Sequence, residues 1–326
     1  MALKLWRARG NELLDITPIT DQISWRSNKD ELGVELNFGN AFGDAIHNPK
    51  KHVNLGDMII LKDGEREVTR CIVIDEDLTG RQPIPFTAFD LAYYLNESKR
   101  IYQFNGIAAD QAIKRICSDY NIPIYSIIKI PTKIDKIYMN ETLSDIIKDV
   151  LLQAEADQGV NYQFEMYEGK FHVYRSRDIV IVPTYYERGI YASNGTDVMT
   201  APSRKRTIKG MKNSIQVTSD GQLLASVSND SLIQAYGLLS EIVDVQEEDR
   251  PRARNIARNT LRELGKVFED NSLEMLGDSR VLAGRMIEIN EPITGMKGLY
   301  MIESVQHTAQ NGIHMMSLDL SMKGVQ

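Results

Sequence analysis

A strand–turn–strand plan occurs twice in this sequence, once near each end, and it points the chain toward folds built from repeated β modules. The first copy reads Leu55-Gly56-Asp57-Met58-Ile59-Ile60-Leu61, turns at Asp63-Gly64 and returns over Val68 to Ile74. The second reads Ala283-Gly284-Arg285-Met286-Ile287-Glu288-Ile289, turns at Thr294-Gly295-Met296-Lys297-Gly298 and returns over Leu299 to Val305. Each places a glycine before a short apolar strand and a glycine-bearing turn after it, which is the signature of a hairpin. Two such modules without a recognisable catalytic cluster indicate a building part.

The chain has 326 residues, enough for two or three domains, with 42% hydrophobic and 25% charged residues, as in ordinary globular proteins. A formal net charge of −7 disfavours a general nucleic-acid-binding surface. The two cysteines, Cys71 and Cys117, sit in apolar patterns without metal-ligand spacing, so buried free thiols are expected. The first residues lack the apolar core of a signal peptide, and no apolar run reaches the roughly 20 residues of a membrane helix. Synthesis and folding in a cytoplasm, without membrane insertion, are therefore expected.

Periodicity divides the chain into three segments. Residues 1–98 are strand-rich, with strands expected at 16–26, 31–38, 55–62 and 65–75 and a short helix at 90–95. Residues 99–205 mix helix and hairpin. Ala109, Ala112, Ile113, Ile116, Cys117 and Tyr120 mark one amphipathic helix. Leu143, Ile146, Ile147, Val150, Leu151 and Ala154 mark a second, with Asn140 as its expected N-cap. A hairpin follows around Glu168-Gly169. Residues 206–326 return to strands, at 207–217, 223–228, 286–290, 299–307 and 313–322, with a helix flanking them at 251–265. The stretch 197–206 reads as a hinge loop.

Candidate functional residues are few. Arg254, Arg258 and Arg262 recur every four residues, with Arg250 and Arg252 just before, and Glu247-Glu248-Asp249 lie close enough to neutralise them. The row is either a solvated helix face or an interface, and Tyr236 is a further interface candidate. His307 and His314 flank the Asn311-Gly312 turn and can approach across it, while His47 and His52 share a loop. A zinc site needs three or four ligands, and no third is apparent. The acidic runs Asp75-Glu76-Asp77, Glu247-Glu248-Asp249 and Glu269-Asp270 read as solvated. No nucleophile elbow, phosphate loop or zinc-protease motif is present. No catalytic, cofactor or metal residue is assigned. Residues 140–147 superficially resemble the first helix of a LysM peptidoglycan-binding module, although a helix packed inside the middle segment accounts for them as well.

The ordered set of motifs resembles baseplate hub proteins of contractile phage tails, defective prophages and R-type bacteriocins. The motifs are 55–61, Asp63-Gly64-Glu65, 70–74, 86–95, 104–113, Ser231 to Gly237 and Gly298 to His307. The resemblance spans nearly the whole chain. It departs at Cys71, where a small residue is expected, and at Ile107-Ala108, where a capping threonine is common. It implies an α+β, mainly β fold of two tail-tube-like β-barrel domains (1–98 and 206–326) separated by a mixed α/β domain (99–205). It further implies a non-enzymatic homotrimer whose pseudo-six-fold ring joins the tail tube, or a tube-initiator protein, to the central spike and lines the axial channel. Baseplate wedge proteins are implied partners; membrane and sequence-specific nucleic acid are not. A tail-delivered cell-wall hydrolase and a LysM-like wall-binding protein are the competing readings.

Overall fold

The computed structural model describes residues 3–43, 52–187, 191–194 and 200–322. The fold is mainly β. By contact the chain divides into two compact units, one of residues 1–203 and 272–326, the other of residues 204–271. Both free cysteines are buried.

One long sheet orders its strands as Thr200–Thr207, Phe268–Leu276, Ile313–Ser321, Met296–Gln310, Thr20–Asn28, Val34–Asn40, Ile84–Asp90, Arg66–Glu76, Met58–Asp63, Leu3–Arg9 and Glu12–Asp15. Met286–Glu291 branches from Met296–Gln310. Among the described residues the order is open at both ends, and this sheet does not close into a barrel. The strands form where sequence alternates. Val34, Leu36, Phe38 and Asn40 are buried on one face of Val34–Asn40, and Ile84, Phe86, Ala88 and Asp90 on one face of its neighbour.

Two sets of five strands in this sheet repeat the same order. The first is Thr20–Asn28, Val34–Asn40, Ile84–Asp90, Arg66–Glu76, Met58–Asp63. The second is Thr200–Thr207, Phe268–Leu276, Ile313–Ser321, Met296–Gln310, Met286–Glu291. The match extends to single bonds. Gly56, at φ +83°, donates its N–H to Val73 O at 2.8 Å, and Val73 N–H returns to Asp57 O at 3.0 Å. Gly284, at φ +84°, donates to Ile302 O at 2.8 Å, and Ile302 N–H returns to Arg285 O at 3.0 Å. Both copies then bulge at the next residue. Val73 pairs with Ala88 but Asp75 with Thr87, as Ile302 pairs with Leu320 but Ser304 with Asp319.

The two sets are joined edge to edge. Met296–Gln310 outruns its partner Met286–Glu291, and its far part, Ser304 to Gln310, pairs antiparallel with Asn28 to Gln22. The connection between the first two strands is residues 29–33 in one set and 208–267 in the other. Most of the second unit is thus an insertion at a turn, and the boundary between units falls inside Thr200–Thr207 and inside Phe268–Leu276. Residues 200–206 were expected in a hinge loop and instead form a strand; residues 197–199 lie outside the described residues. The polar, proline-bearing sequence of 200–206 belongs to the outermost strand among the described residues of the sheet, where such residues are tolerated.

Within the first unit, helices α1 (Tyr93–Glu97), α2 (Ala109–Asp119) and α3 (Leu143–Gln158) share an apolar core with the strand pair Tyr102–Ala108 and Lys133–Tyr138. Here a smaller repeat appears. Asp119 of α2 accepts from Tyr102 Oη at 2.8 Å and Arg100 at 3.2 Å. Asp149 of α3 accepts from Tyr138 Oη at 2.6 Å and Lys136 at 3.0 Å. The N-cap of α3 is Thr142, whose Oγ1 accepts from Asp145 N–H at 3.2 Å, and not Asn140. Asn140 sits at φ +63°, whereas an N-cap needs extended backbone. Helix α1 starts later than expected because Asp90 ends the preceding strand. Its carboxylate accepts Val34 N–H at 2.7 Å and Ala92 N–H at 2.9 Å.

The second unit is a three-stranded sheet with Ser214–Ser219 between Gln222–Ser228 and Ser240–Asp244. It also carries α4 (Asp230–Tyr236), which the sequence reading did not expect as a helix, and α5 (Ala253–Leu264). Ile215 and Val217 pack against Ala253 and Ala257.

Candidate assembly surfaces

Arg254, Arg258 and Arg262 are exposed on α5, whose Ala253 and Ala257 are buried. Alanine at every fourth position seats the helix close to its sheet and leaves the guanidinium groups outward. Arg262 donates to Asn259 Oδ1 at 2.5 Å. Arg250 turns back to Ser219 Oγ and Asp220, each at 3.0 Å, and lies 3.9 Å from Glu247. Tyr236 ends α4 and is 41% exposed. Among the described residues no hydrogen bond or ring contact joins it to the arginines.

Two buried polar clusters lie inside the first unit. Arg285 grips Glu165 of the hairpin Tyr162–Tyr167/Lys170–Arg175 in a two-point ion pair, Nε–Oε2 at 2.9 Å and Nη2–Oε1 at 2.6 Å. Arg285 also donates to Arg280 O at 2.6 Å, while Tyr174 Oη donates to Glu165 at 3.3 Å. Burial acts to raise the Glu165 carboxyl, yet the His172 and Arg285 contacts hold it below the usual range. Nothing local in the sequence signals this pair, because its partners lie 120 residues apart.

The second cluster sits on the seam between the strand sets. Trp25 and His307 are cross-strand partners, with rings stacked 4.5 Å apart and 9° from parallel. His307 Nε2 lies 2.9 Å from Val281 O, so it must carry the proton and donate. Nδ1 therefore accepts from His314 Nε2–H at 3.0 Å, which leaves His314 Nδ1 buried without a partner. Burial pushes His307 down to about 3 and His314 to about 4. The approach of His307 and His314 across their turn was legible in the sequence. No group of three metal-ligating side chains occurs among the described residues. His47 lies outside them.

This mainly β fold is similar to that of a solved prophage tail protein. It superimposes with a TM-score of 0.71, at 12% identity, on the 43 kDa tail protein of prophage MuSo2 from Shewanella oneidensis, covering 98% of this chain and 97% of that one. The chain belongs to the YQBQ-like family, whose model matches residues 23–321. It is 28% identical over 283 residues to the YqbQ protein of Bacillus subtilis (strain 168), covering 83% of this chain and 82% of that protein. It is 26% identical over 286 residues to the phage-like element PBSX protein XkdQ of the same organism, covering 83% of each.

Proposed function

We propose that this chain is a structural, non-enzymatic hub of a contractile-tail baseplate. In this reading three copies form a ring that joins the tail tube to the central spike, encloses the axial channel and meets wedge proteins at its rim. The observation that carries the reading is the doubled five-strand set, identical in strand order, glycine position and bulge. A three-fold ring of such chains presents six similar modules, which fits a six-fold tube on one side and a three-fold spike on the other. The two sets are the proposed counterparts of tube-like modules at 1–98 and 206–326, with 99–205 between them. The name of the PBSX relative and the shared tail-protein fold support the same class. The α5 arginine face and Tyr236 are proposed contacts to neighbouring proteins.

No helix among the described residues is long and apolar enough to cross a membrane, which is compatible with assembly in a bacterial cytoplasm. Imaging of particles that contain the chain tests the proposal. Density for three copies between tube and spike is expected; particles whose hub is another protein overturn it.

A further inference from the structure

We infer that the chain closes its ring by pairing Thr200–Thr207 of one copy with residues 75–77 of a second copy, repeating between chains the seam that already exists within one. This rests on the hub reading above and names the contact that reading requires.

The argument starts from the internal seam. On Met296–Gln310, the side taken first by Met286–Glu291 is taken further along by Thr20–Asn28, the first strand of the other set. In register, Asn28 faces Ser304, Ser27 faces Val305 and Arg26 faces Gln306. The equivalent of Met296–Gln310 is Arg66–Glu76, and the shared bulge makes Asp75, Glu76 and Asp77 the counterparts of Ser304, Val305 and Gln306. Past Val73, however, no strand covers that side of Arg66–Glu76 among the described residues. The equivalent of Thr20–Asn28 is Thr200–Thr207, which among the described residues ends the sheet and pairs on one side only. Each set therefore offers the half of a seam that the other set of a neighbouring copy completes.

Register and charge agree. Asn28 and Thr207 are the last residues of their strands. Arg204, at 2.8 Å, and Arg206, at 3.1 Å, both reach Glu269, and Lys205 lies 3.8 Å from Asp270, so the basic run faces Glu269-Asp270 of the neighbouring strand in its own set. Copying the internal register sets Thr207 against Asp75, Arg206 against Glu76 and Lys205 against Asp77 of the second copy. Arg204-Lys205-Arg206 is a basic run and Asp75-Glu76-Asp77 an acidic one. Opposite charges facing across strands stabilise pairing, and charge on a strand edge suppresses pairing with anything that does not match it. A guanidinium has donors enough to keep Glu269 and take Glu76.

The test is a disulfide between copies. The double variant Lys205→Cys/Asp77→Cys, oxidised in purified particles or as concentrated full-length chain, should give covalent dimers and trimers. Either single variant should give none, since Cys71 and Cys117 are buried. A second measurement does not depend on cysteine. Arg206→Glu should abolish self-association, and adding Glu76→Arg should restore it. A ring seen in particles with no cross-link and no rescue overturns this contact while leaving the hub reading intact. A chain that stays monomeric with tube and spike proteins present overturns both.

Discussion

Asp57 and Arg285 stand at the same step of two equivalent hairpins, each directly after the glycine, carrying opposite charges and buried by different partners. Asp57 is held by Arg9, from a strand beside its own set, and by Asn54 N–H at 2.8 Å. Arg285 is held by Glu165, from the hairpin of the middle segment. The repeat preserves the backbone and places a buried charge at the same point, while the partner records what each set is fastened to. The first set closes on the amino-terminal strand, and the second on residues 162–175.

Glu165→Gln should therefore be far more damaging than Arg9→Ala. The first leaves a guanidinium buried without its counter-ion, a loss of about 3–5 kcal/mol for a broken interior pair. The second removes a side chain that is 42% exposed and leaves Asp57 its backbone donor, so about 1 kcal/mol is expected. Urea midpoints of the two variants decide it; equal losses would show that the Arg285 pair is no anchor.

Glycine substitutions separate backbone strain from crowding. Gly56→Ala meets open space but keeps a positive φ, so a loss of about 1–2 kcal/mol is expected. At Gly277 an added methyl carbon would lie 2.1 Å from the ring of His314, with no backbone strain involved. Gly277→Ala should cost more than Gly56→Ala and should disturb the His314 ring resonances. A Gly277→Ala variant as stable as wild type would contradict the packing of that ring.

The doubled hairpin was legible because glycine at a positive φ and an apolar strand leave local marks. The longer turn of the second copy did not hide it. Helices α2, α3 and α5 were legible from apolar period, as was the exposed row Arg254, Arg258 and Arg262. What could not be read was distance in space. A Glu165–Arg285 pair carries no signal along the chain, and Thr200–Thr207 reads as loop because an outer strand needs no apolar alternation. The insertion of residues 208–267 was invisible for the same reason, since the two strands that bracket it pair with each other far apart in sequence. Nor does periodicity reveal that both strand sets share one sheet, because the seam is a pairing of edges.

The seam should be sensitive to acid. His307 and His314 titrate near 6.5 when unfolded and, in the fold, only at about 3 and about 4. The unfolded chain therefore binds protons first as the pH falls. The stability contributed by the neutral pair is complete above about 6.5 and is lost progressively from there toward 4 and below. Asp63 and Asp278 favour protonation of His314, but burial outweighs them. Asp90 works in the opposite sense, since burial raises it to about 7. The test is thus a difference between variants. His314→Gln keeps a donor toward His307 and removes one titrating ring, so stability measured from pH 8 to pH 4 should fall less steeply than in wild type. Identical acid limbs would exclude the pair as their cause.

Asn213 governs the second unit alone. It is fully buried, donates Nδ2 to Gly237 O at 2.7 Å and accepts Leu239 N–H at 2.8 Å, and its own N–H reaches Leu239 O at 2.8 Å. These bonds close the loop after α4 onto the start of the central strand Ser214–Ser219. Asn213→Ala removes the hydrogen bonds it makes to the carbonyl of exposed Gly237 and from the amide of half-buried Leu239, a loss of about 1–3 kcal/mol. The unit has little to offset it, since its core rests on Ile215, Val217, Ala253 and Ala257. Hydrogen exchange should then show the amides of 214–219 and 240–244 losing protection by about tenfold or more, while those of 58–63 and 66–76 keep theirs. Equal loss in both places would mean that the insertion unfolds only with the rest of the chain, and the contact boundary would then not be a boundary in stability.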